Sequence, residues 1–311
     1  MSDLIAKETL FLHNAEMGLG AWAWGDRSLW NYGHQYGETD IEQAFQATLA
    51  AGINLVDTAE TYGSGRSERF LGKFMKTTTT PVLVATKFMP FPWRLNRNTL
   101  MRSLDHSLER LGVDHVDLYQ THWPFPPMPV EFWVEGLVQA VKSGKACTAG
   151  VSNYNQTQME LAFAVLSKHE LPLASNQVEY HLLNRTVEKN GLLDRCHELG
   201  VRLIAYSPLA KGLLTGKYSL ESPPPGLRSR QPAGKMRALP GLISVMTEIG
   251  QGHDGRTPGQ VALNWIICKG ALPIPGAKTG KQAEQNARAI GWRLTPEEVK
   301  ALDEASDRFT N

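Results

Sequence analysis

One stretch decides the fold class of this chain: Gly52-Ile53-Asn54-Leu55-Val56-Asp57-Thr58-Ala59-Glu60-Thr61-Tyr62-Gly63. Its first half is a short apolar run, which is typical of a buried parallel strand. Asp57 ends this run, and Tyr62 follows on a loop that leads into a helical pattern at Ser67. Parallel α/β proteins place their chemistry at the carboxyl ends of strands. Taken alone, the same residues also fit an aspartate helix cap and a surface tyrosine, so the neighbouring strands must decide.

Strand-like runs and helical patterns alternate along the whole chain. The strand-like runs are Met17–Gly20, Ile53–Val56, Pro81–Thr86, Val116–Gln120, Ala146–Val151, Ala174–Val178, Arg202–Tyr206 and Ala271–Ile274. The helical patterns are Asp40–Ala51, Ser67–Lys76, Asn98–Leu111, Val130–Ser143, Thr157–His169, Val187–Leu199, Thr257–Lys269 and Thr279–Ile290. Eight such units without a linker predict an α/β fold, a single (β/α)8 TIM barrel over residues 1–311 with long rim loops.

Two segments lie outside the eight units. Thr295-Pro296 begins an extra C-terminal helix, because proline is favoured at the first helical position and acidic residues follow it. Ser219–Pro240 is rich in proline and glycine and predicts a long irregular loop after the seventh strand. Its basic residues suggest that it folds over a phosphate-bearing ligand, and a mobile solvated loop is the alternative.

Composition excludes several classes of partner. The 311 residues are 42% hydrophobic and 20% charged, with a net charge of +1, so we expect no binding to nucleic acid or to membranes. The three cysteines are widely spaced, which predicts no metal site and favours a cytoplasmic location. The segment Met1–Glu16 carries scattered charges and no apolar run of signal-peptide length.

Titratable residues end two further strands. Lys87 follows the third strand-like run and His122 follows the fourth, so Asp57, Tyr62, Lys87 and His122 should meet on one rim of the barrel. A neighbouring ammonium favours phenolate, so we expect Lys87 to lower the pKa of Tyr62 from its usual value of about 10. Asp57 would hold Lys87 charged, and His122 would orient a substrate oxygen. This set suits proton donation to a carbonyl oxygen that gains charge, whereas hydrolysis and metal chemistry lack their usual residues.

The first strand end has a pattern that must be weighed separately. Gly18-x-Gly20-x-x-Ala23 formally matches the dinucleotide fingerprint of a Rossmann fold, which requires a helix to begin at its third position. The chain instead continues through a loop rich in tryptophan and glycine, and the first convincing helix begins near Asp40. We therefore reject the Rossmann interpretation.

Asp57, Tyr62, Lys87 and His122 resemble the catalytic tetrad of the aldo-keto reductases. Further stretches that resemble this family are Gly18–Trp22, Gly150–Asn153, Asn176–Tyr180, Tyr206–Leu209 and Ile274–Ala277, so the resemblance covers nearly the whole chain. The tryptophan-rich first loop is similar to a plant and cyanobacterial branch. The resemblance implies an NADPH-dependent oxidoreductase that reduces aldehydes or ketones to alcohols by hydride transfer, with Tyr62 as the proton donor.

The resemblance also implies residues that bind NADPH. Those implied near the nicotinamide are Gly20, Trp22, Ser152, Asn153, Gln177 and Tyr206, and those implied at the pyrophosphate are Ser207, Leu209 and Gly212. Those implied at the adenosine end are Gly276, Lys278, Gln282, Gln285 and Asn286. Lys278 stands where the family pairs a cation with the 2′-phosphate, and Gln285 departs from the usual glutamate.

Two other functions stay open at this point. A cofactor-binding regulatory subunit with little turnover would keep the NADPH site, whereas a cofactor-free isomerase or lyase would not bind NADPH. Trp22, Trp24 and Trp123 are expected to line an apolar or aromatic pocket for a small carbonyl substrate. The sequence leaves the oligomeric state, the physiological substrate and the favoured direction open.

Overall fold

Parallel strands form a closed barrel in the computed structural model, which describes residues 9–229 and 232–309. The strands are β1 (Leu19–Gly20), β2 (Leu55–Asp57), β3 (Leu83–Phe88), β4 (Val116–Thr121), β5 (Ala146–Ser152), β6 (Leu173–Glu179), β7 (Arg202–Tyr206) and β8 (Leu272–Pro273). They pair in chain order. The predicted (β/α)8 barrel is therefore confirmed.

Close backbone approach joins the last strand to the first. The N–H of Gly18 donates to the carbonyl of Pro273 at 3.0 Å, and the N–H of Gly20 donates to the carbonyl of Pro275 at 3.1 Å. A β-carbon at Gly20 would lie 2.7 Å from the carbonyl oxygen of Ile274. Only glycine therefore permits this contact between strands, which explains part of the first motif.

Helices cover the outside of the barrel. They are α1 (Glu38–Ala50), α2 (Arg66–Met75), α3 (Asn98–Leu111), α4 (Val130–Lys142), α5 (Gln156–Lys168), α6 (Thr186–Lys189), α7 (Leu192–Leu199), α8 (Ala233–Gly252), α9 (Pro258–Cys268), α10 (Gly280–Ala287) and α11 (Pro296–Ser306). Residues 9–14 are also helical. The extra C-terminal helix is α11, whose start is stabilised by a capping box between Thr295 and Glu298.

Two predictions about helices were wrong. The segment Val187–Leu199 forms two helices, α6 and α7, because Gly191 between them has a φ of +75° and interrupts the helical path. Within the described residues of Ser219–Pro240, a short 3-10 helix lies at Gly226–Ser229 and α8 begins at Ala233, so the segment is not irregular throughout. Of its basic residues, Lys235 lies on α8, and Arg230 lies outside the described residues.

The inside of the barrel is apolar at one end and polar at the other. Leu55, Ala85 and Leu118 belong to a buried cluster inside the strands. Successive residues of a strand point to opposite faces, so the residue two positions later points inward again. Those residues are Asp57, Lys87 and Gln120, all of them buried. The alternation of the strands thus places a layer of polar side chains directly on the apolar layer.

Candidate active site

An ion pair between Lys87 and Asp57 forms the floor of the site. Lys87 is wholly buried, and the side chain of Asp57 is 3% exposed. Besides Asp57 Oδ1, the Lys87 ammonium contacts the carbonyl of Thr58 at 2.9 Å and the Tyr62 hydroxyl at 3.5 Å. An ammonium has three protons to donate, so these three acceptors fix its position. The cation is held beneath the phenol of Tyr62.

Two amides support the other carboxylate oxygen of Asp57. Gln177 Nε2 donates to Asp57 Oδ2 at 2.7 Å, and Gln120 Nε2 donates to the same oxygen at 3.4 Å. Sequence analysis missed Gln120. Its position two residues after the inward-facing Leu118 is the signal that could have revealed it, because both residues must face the barrel interior.

The pKa of Tyr62 shifts in the direction opposite to our expectation. Burial, together with the negative charge of Asp57 and the neighbouring Tyr206, raises the pKa of Tyr62 well above 10. Burial also lowers the pKa of Lys87, although Asp57 acts in the opposite direction. The prediction that the pKa of Tyr62 falls below 10 was therefore wrong, because burial and the negative charge of Asp57 both disfavour the phenolate. The phenol keeps its proton throughout the neutral range.

His122 follows β4 and packs against the edge of Tyr62. The two ring centroids are 5.7 Å apart, with planes inclined at 76°. Burial and the charge of Lys87 lower the pKa of His122 to about 3, so its imidazole is neutral at neutral pH. Its buried Nδ1 has no hydrogen-bond partner within the described part of the chain. The tyrosine and histidine therefore present two neutral polar groups to one cavity.

A cavity of about 820 Å³ connects this tetrad to the rim of the barrel. Most of the residues that the sequence predicted for the site line it: Gly20, Trp22, Asp57, Tyr62, His122, Trp123, Asn153, Gln177, Tyr206, Ser207, Leu209, Gly212, Gly276, Lys278, Gln282, Gln285 and Asn286. Lys87 and Ser152 lie directly behind this lining and contact it through Tyr62 and Asn153. The volume lies in the range of small-molecule and cofactor sites.

Trp24 was predicted wrongly as a substrate residue. Trp24 is wholly buried and packs on Phe74, with ring centroids 5.7 Å apart. Its indole N–H donates to the carbonyl of Ala277 at 3.0 Å. The side chain fastens the first loop to the barrel instead of facing the cavity. Trp22 does face it and stacks on Tyr62, with ring centroids 6.2 Å apart.

Amide and phenol groups near the tetrad form one hydrogen-bonded unit. Tyr206 donates its hydroxyl to Asn153 Oδ1 at 3.0 Å. Asn153 Nδ2 donates to the carbonyl of His122 at 3.0 Å and to Ser152 Oγ at 3.1 Å. The hydroxyl of Ser152 donates in turn to the carbonyl of Gln177 at 2.8 Å. These contacts fix the side chains that the resemblance assigns to the carboxamide of the nicotinamide.

The far end of the cavity lies at the start of α10. Thr279 caps this helix by accepting a hydrogen bond from the N–H of Gln282. Gln282 Oε1 accepts from the N–H of Lys278 at 2.9 Å, and Asn286 Nδ2 donates to the carbonyl of Gly276 at 3.3 Å. A helix start beside a lysine attracts negatively charged groups, so this end suits a phosphate.

Two kinds of feature are absent from the described residues. Within residues 9–229 and 232–309, no group of three or more histidine, cysteine, aspartate or glutamate side chains could hold a metal ion. No helix in the same part of the chain is both long and apolar enough to cross a bilayer.

Comparisons with known proteins agree with this geometry. The chloroplastic pyridoxal reductase of Arabidopsis thaliana is 41% identical over 303 residues, which cover 93% of this chain and 82% of that protein. The glycerol dehydrogenase of Gluconobacter oxydans has a TM-score of 0.82 at 28% identity, covering 94% of this chain and 92% of that one. An aldo-keto reductase from Klebsiella pneumoniae in complex with NADPH has a TM-score of 0.74 at 29% identity, with coverages of 93% and 90%. The family model described as "Aldo/keto reductase family" matches residues 16–307, and the chain belongs to that family.

Proposed function

We propose that this protein is an NADPH-dependent oxidoreductase that reduces an aldehyde or a ketone to the alcohol. One observation carries the proposal: the buried Lys87–Asp57 pair holds an ammonium 3.5 Å from the Tyr62 hydroxyl, and Tyr62 faces a large cavity beside the neutral His122. The family model spans 16–307, so we also propose that residues 1–311 form a single aldo-keto reductase domain.

The residues along the cavity fit a nicotinamide dinucleotide phosphate. Asn153, Ser152 and Gln177 offer amide and hydroxyl groups for a carboxamide, and Tyr206 offers an aromatic face. The first residues of the loop after β7, with Ser207, Leu209 and Gly212 among them, line the middle of the cavity, where they would hold the pyrophosphate. The residues proposed to hold the adenosine end are Gly276, Lys278, Gln282, Gln285 and Asn286. When bound, the reduced cofactor supplies a hydride to the carbonyl carbon.

Tyr62 is proposed as the proton donor. Its raised pKa keeps the phenol protonated, and an alkoxide is a stronger base than a phenolate, so the proton moves from Tyr62 Oη to the substrate oxygen. The ammonium of Lys87 stabilises the phenolate that remains. Asp57 acts as a positioning residue because it holds that ammonium in place.

His122 is proposed to orient the substrate. Because its pKa is lowered to about 3, the imidazole is neutral and its protonated nitrogen can donate a hydrogen bond to a carbonyl oxygen. Trp22 and Trp123 line the same part of the cavity and present aromatic surface. This wall favours an apolar or aromatic carbonyl compound. Pyridoxal, the compound named in the Arabidopsis relative, is the first to test.

A single substitution tests this assignment. Tyr62→Phe should lower kcat for aldehyde reduction by roughly a hundredfold or more, because the acid is lost. The Kd for NADPH, measured by calorimetry, should change by less than about twofold. Tyr154→Phe is the matched control, since Tyr154 is a buried phenol that accepts a hydrogen bond from Thr121 outside the tetrad.

The outcomes separate the candidate functions. Retention of more than about a tenth of the wild-type kcat in Tyr62→Phe contradicts the role of the phenol. Binding of NADPH without turnover by the wild type, over a panel of aldehydes and ketones, favours the regulatory alternative. A wild-type protein that does not bind NADPH would exclude both the reductase function and the regulatory alternative.

A cytoplasmic location is also part of the proposal. Cys196 is wholly buried, its sulfur lies 3.3 Å from that of Met159, and burial raises the pKa of its thiol to about 12. Buried reduced thiols of this kind are common in reducing compartments. The Arabidopsis relative is named as chloroplastic, so fractionation of cells that contain the native protein is the direct test.

A further inference from the structure

Three distant parts of the chain meet at the ring of Trp30. Trp30 and Tyr36 belong to the loop after β1, Arg228 to the 3-10 helix in the loop after β7, and Lys278 to the turn before α10. Lys278 Nζ lies 4.7 Å from the Trp30 ring centroid and 4.6 Å from that of Tyr36. Arg228 Cζ lies 5.0 Å from the same Trp30 ring. A single indole therefore has two cations over it.

The contacts to Trp30 also fix the two cations along the chain. Lys278 Nζ donates to the backbone carbonyl of Trp30 at 3.2 Å. Arg228 Nη1 donates to the carbonyl of Lys211 at 3.3 Å, and the arginine is only 9% exposed. Cation–π contacts are strongest where the cation is desolvated, as it is here. Removal of the ring would therefore release both side chains from their present positions.

Positive charge gathers in this part of the cavity. Burial, Arg228 and Lys217 all lower the pKa of Lys278, which falls to about 8, while Asp26 acts weakly in the opposite direction. Asp26 is already engaged, since its Oδ1 accepts the backbone N–H groups of Leu29 at 2.8 Å and Trp30 at 3.2 Å. Among the described residues, no carboxylate forms an ion pair with Lys278 within 4 Å. The cluster thus has the charge and the partial burial that suit an anion.

The indole of Trp30 contributes an unused donor. Its ring lines the cavity, and its buried Nε1 has no hydrogen-bond partner within residues 9–229 and 232–309. A buried N–H that lacks a partner costs free energy, so an acceptor at this place would stabilise the protein. A phosphate monoester supplies both the acceptor oxygens and the negative charge.

We propose that Trp30 is the residue that makes this protein specific for NADPH over NADH, because it holds Lys278 and Arg228 side by side and adds its own N–H for the 2′-phosphate. The inference rests on the proposed function and assigns a role to two residues, Trp30 and Arg228, that the tetrad does not involve. NADH has a hydroxyl at the 2′ position and would gain little from paired cations. Its affinity should therefore depend only weakly on Trp30.

Calorimetric titration of the full chain tests the proposal without any measurement of activity. The probes are two matched pairs, NADPH with NADH and the fragment 2′,5′-ADP with 5′-AMP, and the members of each pair differ only in the 2′-phosphate. Trp30→Leu should weaken NADPH and 2′,5′-ADP by about tenfold or more, and NADH by less than about threefold. Trp30→Phe retains an aromatic face without the N–H and should give an intermediate loss. Trp93→Leu is the control, since Trp93 is 73% exposed on another loop.

The outcomes distinguish this proposal from the function on which it rests. An equal loss for NADPH and NADH in Trp30→Leu, or no loss for either, overturns the role of Trp30 even if the wild type reduces aldehydes. An absence of aldehyde reduction by the wild type overturns the proposed function while the binding data still decide on Trp30. Should Trp30→Leu fail to fold, Arg228→Gln removes one of the paired cations, and a loss confined to NADPH and 2′,5′-ADP is again required.

Discussion

The substitution Lys87→Met should lower both the stability of the protein and its rate of catalysis, and a second variant can separate the two effects. The substitution keeps a long unbranched side chain but removes the cation that neutralises Asp57, whose side chain is 3% exposed. Breaking one partner of a buried ion pair costs about 3–5 kcal/mol, because a charge is left uncompensated. Gln177 Nε2 still donates to Asp57 Oδ2 at 2.7 Å, so we expect the lower end of this range, about 3 kcal/mol.

The expected loss converts into a measurable change in melting temperature. Globular proteins gain about 2.1 cal/mol/K of entropy per residue on unfolding, which gives about 0.65 kcal/mol/K for 311 residues. A loss of about 3 kcal/mol therefore lowers Tm by about 5 °C. The same substitution should lower kcat by roughly a hundredfold or more, since the phenolate of Tyr62 loses its stabilising charge.

The double variant Asp57→Asn with Lys87→Met supplies the decisive comparison. It removes both charges, so Tm should return to within about 2 °C of the wild type while kcat stays as low as in Lys87→Met. Lys73→Met is the matched control, because Lys73 pairs with Glu38 at the surface and its side chain is 63% exposed. Exposed pairs contribute about 0–1 kcal/mol, so this control should change Tm by less than about 2 °C. A double variant that melts as low as Lys87→Met would refute the reasoning.

The remaining predictions concern the cofactor end and the pH profile. Lys278→Ala should weaken NADPH by about tenfold to a hundredfold and NADH by less than about threefold in calorimetric titrations, whereas Lys281→Ala, an exposed neighbour, should alter neither. Because the pKa of Lys278 is lowered to about 8, raising the pH from 7 to 9 removes its charge, and NADPH affinity should fall by about tenfold while NADH affinity stays constant. The lowered pKa of His122, about 3, keeps its imidazole neutral, so kcat for reduction should be flat from about pH 5 to 8; an inflexion near 6.5 contradicts this.

The barrel could be predicted from sequence because each strand is a local signal. An apolar run such as Leu203-Ile204-Ala205 in β7 is recognisable without knowledge of its neighbours, and alternation with helices implies parallel pairing. The order of the strands then follows from the short connections. Closure of the barrel depends on the close approach of Gly20 to the carbonyl of Ile274. No local sequence pattern predicts this contact, because the two residues lie far apart in the chain.

Helix α8 shows where composition misleads. Pro240 and Gly241 lie inside Ala233–Gly252, and such residues indicate a loop in a single sequence. The helix nevertheless forms because one face is buried, which outweighs the lost hydrogen bond of the proline. That face consists of Met236, Leu239, Leu242 and Met246, each at most 4% exposed. Their spacing of three and four residues was the signal that could have revealed the helix.

The residues at the two ends of the cavity differ in how well their contacts can be predicted from the sequence. Asp57 and Lys87 lie on strands, where the alternation of side chains fixes the direction of each residue two positions after an apolar one. The sequence therefore predicted that they would meet. Trp24 and Trp30 lie on one loop, and nothing in their spacing says that the first packs on Phe74 while the second meets Lys278.

The residues that carry out the reaction and the residues that select the cofactor therefore lie on different kinds of structural element. The Lys87–Asp57 pair is built into neighbouring strands and supported from the barrel interior by Gln177, so a change there disturbs the core as well as the reaction. The cluster at Trp30 is assembled from rim loops, with Lys278 reaching a carbonyl 248 positions away in the chain. Loops tolerate substitution far better than strands because few buried contacts depend on them. Changes at Trp30 can therefore alter the preference for NADPH without removing a contact of the Lys87–Asp57 pair.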